Sequence, residues 1–181
     1  LYMASADEIY ITIHGKGSHG AMPQYAVDPI ATAAQVIIAL QQVISRKATP
    51  TIPSVLTIGK INSDGGATNI IPQSVKMEGT FRTLDEGWRA EAHAHIKQIA
   101  EQTALAFGAT ADVDIRKGYP FLMNNKEVTE KCQIAAKEYV GEDKVEDLDV
   151  YLAAEDFSYY SQEIPATFYR LGIKNDEKET G

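Results

Sequence analysis

Residues 7–117 predict an α/β fold of the α+β type: a ferredoxin-like sandwich, with two helices over one face of a four-stranded antiparallel sheet. Three observations carry that reading. Four segments alternate apolar and polar residues with the period of two expected of a strand with one buried face. Two longer segments repeat apolar residues every three to four positions. The six follow one another as β-α-β-β-α-β.

The first strand is EIYITIH (8–14), with Ile9, Ile11 and Ile13 on one face and Tyr10, Thr12 and His14 on the other. The first helix opens at Asp28-Pro29. Aspartate accepts hydrogen bonds from the unpaired amides of a first turn, and proline suits its first position. Ile30, Ala33, Ile37, Leu40 and Ile44 then form one apolar stripe, and Arg46 and Lys47 close the helix where cations suit its dipole. Pro50 and Pro53 precede a second strand, SVLTIGKI (54–61), and SDGG (63–66) is a turn signal. The third strand, SVKMEGTFR (74–82), points Val75, Met77 and Phe81 one way and Lys76, Glu78, Thr80 and Arg82 the other. A second helix runs from near Asp85 to Phe107 with Trp88, Ala92, Ile96 and Ile99 inward, and Gly108 suits its C-terminal cap. ATADVDIR (109–116) is the fourth strand. The sheet face away from the helices is polar enough to meet water or a partner.

After Lys117 the pattern changes. GYP (118–120) reads as a connection, and residues 125–140 as a helix with Val128, Cys132, Ala135 and Tyr139 on one stripe, ended by Gly141. Residues 149–153 read as a short strand, AAEDFSYYSQEIP (153–165) as a loop with a helical turn, and ATFYRLGI (166–173) as a last strand. This is too little for an independent core, so 118–181 is expected to be part of a second domain. The tail NDEKETG (175–181) is expected to fray. Because Leu1 is not a methionine, the chain is expected to be a fragment or a processed product.

The composition, 44% apolar and 23% charged, is that of a globular protein. A net charge of −8 with scattered basic residues excludes a nucleic-acid surface and argues against an anionic membrane. No apolar run approaches the roughly 20 residues of a membrane span. The single cysteine, Cys132, excludes an intrachain disulfide, is expected to be a half-buried helix residue, and fits a reducing, cytoplasmic location.

Few residues offer chemistry on spacing alone. His93 and His95 lie two apart on a helix, on faces that cannot share one metal, and are expected at the surface. His14 is expected on the polar sheet face. His19 sits in HGKGSHGAMPQ (14–24), where Gly15, Gly17 and Gly20 would permit backbone shapes closed to other residues and could present it on a loop tip; an ordinary turn stays open. GKGSHG lacks the pattern of a phosphate loop, and eight residues separate Gly20 from the helix start at Asp28. Arg82 could grip a carboxylate bidentately or be a plain surface arginine. Glu155-Asp156 fits acid–base or metal chemistry and turn chemistry equally well.

Three segments in order, GKGSHGAMPQYAVDPI, ATNIIPQSVKMEGTFRT and AAEDFSYYSQEIPATFYRLG, resemble the zinc-dependent amidohydrolases that include aminoacylases, hippurate hydrolases and indole-acetyl-amino-acid hydrolases. The resemblance implies a lid and dimerisation domain at 7–117 and a fragment of the α/β catalytic domain at 118–181. It implies that His19 stabilises the oxyanion of a tetrahedral intermediate, in several dimeric members within the partner's site. Asn69 and Arg82 would hold the substrate, Arg82 by its free carboxylate, and Glu155 would lie near the site. The family's zinc ligands occupy segments that these 181 residues do not include, so no metal is expected on this chain alone.

The resulting expectation is a homodimeric parent enzyme that hydrolyses N-acyl amino acids with zinc or another divalent metal, through attack of metal-bound water. A second reading stays open: a non-catalytic ferredoxin-like module for dimerisation or small-ligand binding.

Overall fold

The computed structural model describes residues 3–173. Its main sheet joins β1 (Asp7–His14), β3 (Ser54–Ser63), β5 (Ser74–Thr83) and β6 (Thr110–Lys117) in the order β3-β5-β1-β6, with every neighbouring pair antiparallel. Two-residue strands β2 (Ser18–His19) and β4 (Ile70–Ile71) pair separately. Helices α1 (Pro29–Gln42) and α2 (Glu86–Ala106) pack on one face of the main sheet. This is the predicted ferredoxin-like arrangement. Helices α3 (Lys126–Val140) and α4 (Ser158–Glu163) follow it.

The sheet alternates as its sequence does. Ile9, Ile11, Ile13, Val75, Met77 and Phe81 are buried against Ala33, Val36, Leu40, Trp88, Ala92 and Ile96. Asp28 caps α1 by accepting from the Ile30 and Ala31 amides at 2.8 and 3.2 Å, and Asp85 caps α2 through the Trp88 amide at 2.7 Å. Gly108 and Gly141 both take positive φ, 77° and 102°, beyond the ends of α2 and α3.

Three expectations need correction. The buried stripe of α1 is Ala33, Val36, Leu40 and Val43, whereas Ile30 is 48% exposed and Ile37 and Ile44 are only partly buried. Pro29 and Thr32 are buried on the same side as Ala33, Val36 and Leu40, so the helix packs on the sheet with its Ile30 face outward. The final turn, Val43–Lys47, widens into a π-turn closed by the Ala48 amide on the Val43 carbonyl. Second, residues 149–153 contribute only a bridge from Tyr151 to Met3, and 166–173 form no strand. Instead Asn124 fastens the latter segment, its side chain donating to the Phe168 carbonyl and accepting from the Phe168 amide. A strand needs a ladder partner, and among the described residues these segments find only isolated pairings such as that bridge and the Ala4 amide on the Ala153 carbonyl. Third, Cys132 is exposed, because α3 buries none of its residues against the described chain. The tail at 175–181 lies outside the described residues.

A smaller cluster, Met3 and Leu122 with Ala153, Phe157 and Phe168, stands apart from the sheet core. The chain passes between the two as a pair of antiparallel segments. The Ala6 amide donates to the Tyr119 carbonyl, Gly118 to Ala6, Met3 to Leu122 and Leu122 to Met3, at 2.9–3.3 Å.

Candidate functional site

The arm that carries His19 is pinned rather than loose. Gly15 donates to the Gln73 carbonyl, Lys16 and Val27 exchange both backbone hydrogen bonds, and Gly20 donates to the Asn69 carbonyl at 2.7 Å. Its glycines take no positive φ. They are required for another reason: neighbouring backbone runs where a side chain would begin. A Cβ on Gly15 would lie 2.2 Å from the Val27 carbonyl oxygen, and one on Gly17 would lie 2.8 Å from that of Ile71. The reading of these glycines as a source of unusual backbone shapes is therefore corrected to close packing.

Within the arm, β2 and β4 set His19 opposite Ile70, next to Asn69. The structure thus brings His19 and Asn69 together. The His19 ring is exposed, and its Nδ1 accepts the Ala21 amide at 3.2 Å. That bond occupies the lone pair of Nδ1, so in the neutral ring the proton sits on Nε2, which becomes an outward hydrogen-bond donor. The loop bearing Asn69 is closed by Asp64, which accepts from the Gln73 and Ser74 amides at 3.1 Å and from the Ser74 hydroxyl at 3.0 Å. These bonds hold the Asp64 carboxyl below its usual range, the Ser74 amide contributing most.

Arg82 lies at the other end. It is eight residues along β5 from Ser74, about 27 Å at 3.4 Å per residue, and no described carboxylate pairs with it. The neighbouring Thr83 exchanges hydrogen bonds with Ser5, and Ala4 donates to the Ala153 carbonyl, two residues before Glu155. Glu155 is half-buried, and its Oε1 accepts the Asp156 amide at 3.2 Å. Arg82 and Glu155 therefore share one end of the sheet while His19 and Asn69 occupy the opposite end.

Among the described residues, no three His, Cys, Asp or Glu side chains converge on a point that could hold a metal. These side chains do not fit a metal centre. His14 instead bonds Asp112 at 2.7 Å on the open sheet face. No helix among the described residues is long and apolar enough to cross a membrane.

The residue-by-residue reading missed a buried polar cluster. Asp7 is 2% exposed and Arg89 1% exposed. Arg89 donates to Asp7 through Nε at 2.9 Å and again through Nη2, to Glu86 through Nη1 at 2.9 and 3.1 Å, and through Nη2 to the Ala6 and Gly118 carbonyls. His93 completes it, its Nε2 2.6 Å from Asp7 Oδ2, and the ring is 22% exposed rather than at the surface. His95 is likewise half-buried, 6.3 Å from the Trp88 ring. Burial alone would push the Asp7 carboxyl up. Hydrogen bonds from His93 and Arg89, the guanidinium charge and the Gly118 amide outweigh it and bring Asp7 down to about 2. The signal was present in the sequence: Asp7 continues the inward phase of Ile9, Ile11 and Ile13, and Arg89 lies between the inward Trp88 and Ala92.

Comparison with known proteins bears on the family and the fold. The description of the peptidase dimerisation domain of the M20 group matches residues 5–108. The N-acetyl-L-cysteine deacetylase of Bacillus subtilis (strain 168) is 39% identical over 175 residues, covering 96% of this chain and 41% of that protein. IAA-amino acid hydrolase ILR1-like 2 of Arabidopsis thaliana is 30% identical over 179 residues, covering 97% and 40%. The crystal structure of the Bacillus subtilis YXEP protein, a dinuclear metal binding peptidase from the M20 family, superposes with a TM-score of 0.70 at 28% identity, covering 92% of this chain and 40% of that one. The chain thus spans about two fifths of the length of these curated relatives. With more than half of its residues matched by that description, the chain belongs to the M20 peptidase dimerisation-domain family.

Proposed function

We propose that the whole protein is a homodimeric, metal-dependent amidohydrolase that cleaves the amide bond of N-acyl amino acids or similar conjugates. In this reading residues 7–117 form the lid and dimerisation domain, and 118–181 belong to the catalytic domain. Support comes from the family membership and from relatives named for deacetylation and for hydrolysis of amino-acid conjugates. The metal, zinc or another divalent ion, would be held by ligands outside the described residues.

The observation that carries the assignment of roles is the separation of His19 and Asn69 from Arg82 and Glu155 along the sheet. Strand β3 is an edge strand, with Val55 and Ile61 exposed upon it, and α1 beside it exposes Ile30 and Ile38. An unpaired edge of this kind invites pairing with a second copy. A two-fold axis there would make β3 antiparallel to its mate, setting the His19 end of one protomer against the Arg82 end of the other. Each site would then take its oxyanion donor, His19 Nε2–H, from one chain, and Arg82, to grip the free carboxylate of the substrate, from the other. The ring would act well oriented, because its Nδ1 accepts the Ala21 amide.

Mixing two variants of the full-length enzyme, assayed at a substrate concentration well below KM where each alone is nearly inactive, tests this directly. His19→Ala should lower kcat by about 10²–10³, and Arg82→Ala should chiefly raise KM. After subunit exchange, a mixture of the two should regain about a quarter of wild-type activity, since half the dimers carry one intact site. No recovery, with exchange verified, would place both residues in the same protomer's site and sink the two-chain arrangement.

A further inference from the structure

We infer that the Asp7–Arg89–Glu86 cluster is the joint that sets the angle of the sheet unit on the core that follows it, and that it does more than fill the sheet core.

Its position is the first reason. In the described residues the two hydrophobic clusters are joined covalently by only two segments, 3–6 and 118–122, which run side by side. Arg89 lies at the root of this ribbon and donates through Nη2 to one carbonyl on each segment, Ala6 at 3.3 Å and Gly118 at 3.1 Å. Asp7 accepts the Gly118 amide at 3.1 Å, and Glu86 Oε1 accepts the Phe121 amide at 3.4 Å. Lys117 reaches Glu86 Oε2 at 3.2 Å. Both segments are thereby tied to one anchor, the first turn of α2.

Chemistry is the second reason. An ion pair buried to this degree is no efficient way to stabilise a core, since desolvation of both charges offsets most of their attraction. A planar guanidinium with five donors in a fixed fork does what an apolar residue cannot: it holds several acceptors at defined directions. Four of its acceptor groups here are the Asp7 and Glu86 carboxylates and the two ribbon carbonyls. The fit is close, because a Cβ on Gly118 would lie 2.4 Å from the Ala6 carbonyl oxygen. No side chain can enter between the segments where Arg89 binds them.

A joint so built holds both segments of the ribbon root to the sheet unit, and so fixes the direction in which the ribbon leaves toward the core that follows. In the proposed enzyme that angle decides where Arg82 stands relative to the catalytic domain. This bearing on catalysis rests on the function proposed above, whereas the joint itself can be tested without any activity.

The test measures the distance between two spin labels in the full-length protein. With Cys132 replaced by serine, labels go on Gln98→Cys in α2 and Glu163→Cys at the end of α4, both exposed, and labelled chain is diluted into unlabelled chain. The parent should give one narrow distance distribution. Arg89→Lys, which keeps the charge but loses the fork, should broaden it by about twofold or split it. Glu86→Ala removes the hold on Phe121 from a side chain that is 32% exposed, and should broaden it less; it decides the question if Arg89→Lys does not fold. Unchanged distributions in variants that retain native circular dichroism would overturn the inference and leave the cluster a stabiliser of the core.

Discussion

Asp7→Asn isolates the energetics of the buried cluster. The Asp7 carboxyl falls from an ordinary 3.8 to about 2 on folding. At about 1.4 kcal/mol per pKa unit, this is about 2 kcal/mol of folding free energy. The sign follows from the direction of the shift. A carboxylate with a depressed folded-state pKa stabilises the fold fully above its unfolded value, so the contribution is present above about pH 4 and is lost as pH falls toward 2. Asparagine keeps the shape but removes the charge, leaving Arg89 buried with only Glu86 as counter-charge; breaking one partner of such a pair costs about 3–5 kcal/mol. Urea unfolding of the 181-residue chain, followed by circular dichroism between about pH 6 and pH 2, measures both quantities. Near neutrality the variant should be less stable by that amount, and the gap to the parent should narrow by about 2 kcal/mol on acidification. Other carboxylates titrate over the same range in both proteins and cancel in the difference. A gap that stays constant from neutrality to pH 2 would show that Asp7 is not held ionised by Arg89 and His93, and the electrostatic account would be wrong.

The arm offers two further predictions. Gly15→Ala drives a Cβ to 2.2 Å from the Val27 carbonyl oxygen, backbone against backbone, whereas Gly20→Ala meets the Asn69 carbonyl oxygen at 3.1 Å. Thermal melts should show a loss of about 1–3 kcal/mol for the first and a markedly smaller one for the second; equal effects would point to conformational freedom instead of close packing. Asp64→Ala removes three hydrogen bonds that close the loop carrying Asn69. Hydrogen exchange at the Gln73 and Ser74 amides should accelerate by about tenfold, and unchanged protection would mean that the β2–β4 pair alone holds that loop.

Much of the sheet unit was legible because its signals are local. Alternation in 8–14 and 74–82, Asp28 and Asp85 as caps, and Gly108 beyond α2 each encode an element within a few residues. The α1 stripe was misphased because Ile30, Ile37 and Ile44 make as regular a pattern as Ala33, Val36, Leu40 and Val43. Only packing against the sheet distinguishes the two, and it favours the smaller residues at the closest approach. The strands predicted at 149–153 and 166–173 failed because β structure depends on a partner, and the apolar side chains of those segments find no ladder among the described residues. The β2–β4 pair escaped notice because two residues carry no periodicity. The buried cluster escaped because His93 alone of its members was weighed, and by itself; Asp7 shows its role only when Arg89 is placed opposite it, a pairing of residues 82 apart.

The two ends of the sheet give the molecule its logic. One end carries the arm, whose glycines let three backbone segments approach closely enough to hold His19 in one tautomer beside Asn69. The other end carries Arg82, Thr83 and the ribbon root, where Arg89 ties both connecting segments to α2. Strands of eight to ten residues keep these ends too far apart for one small substrate to touch both within a protomer. In the proposed dimer, a rigid sheet serves as a spacer that delivers a donor to one site and a carboxylate grip to the other. Rigidity is then needed at both ends, since an error of about 1 Å in a catalytic group can cost about 10²-fold in rate. The pinned arm and the buried joint answer that same requirement at opposite ends of one sheet.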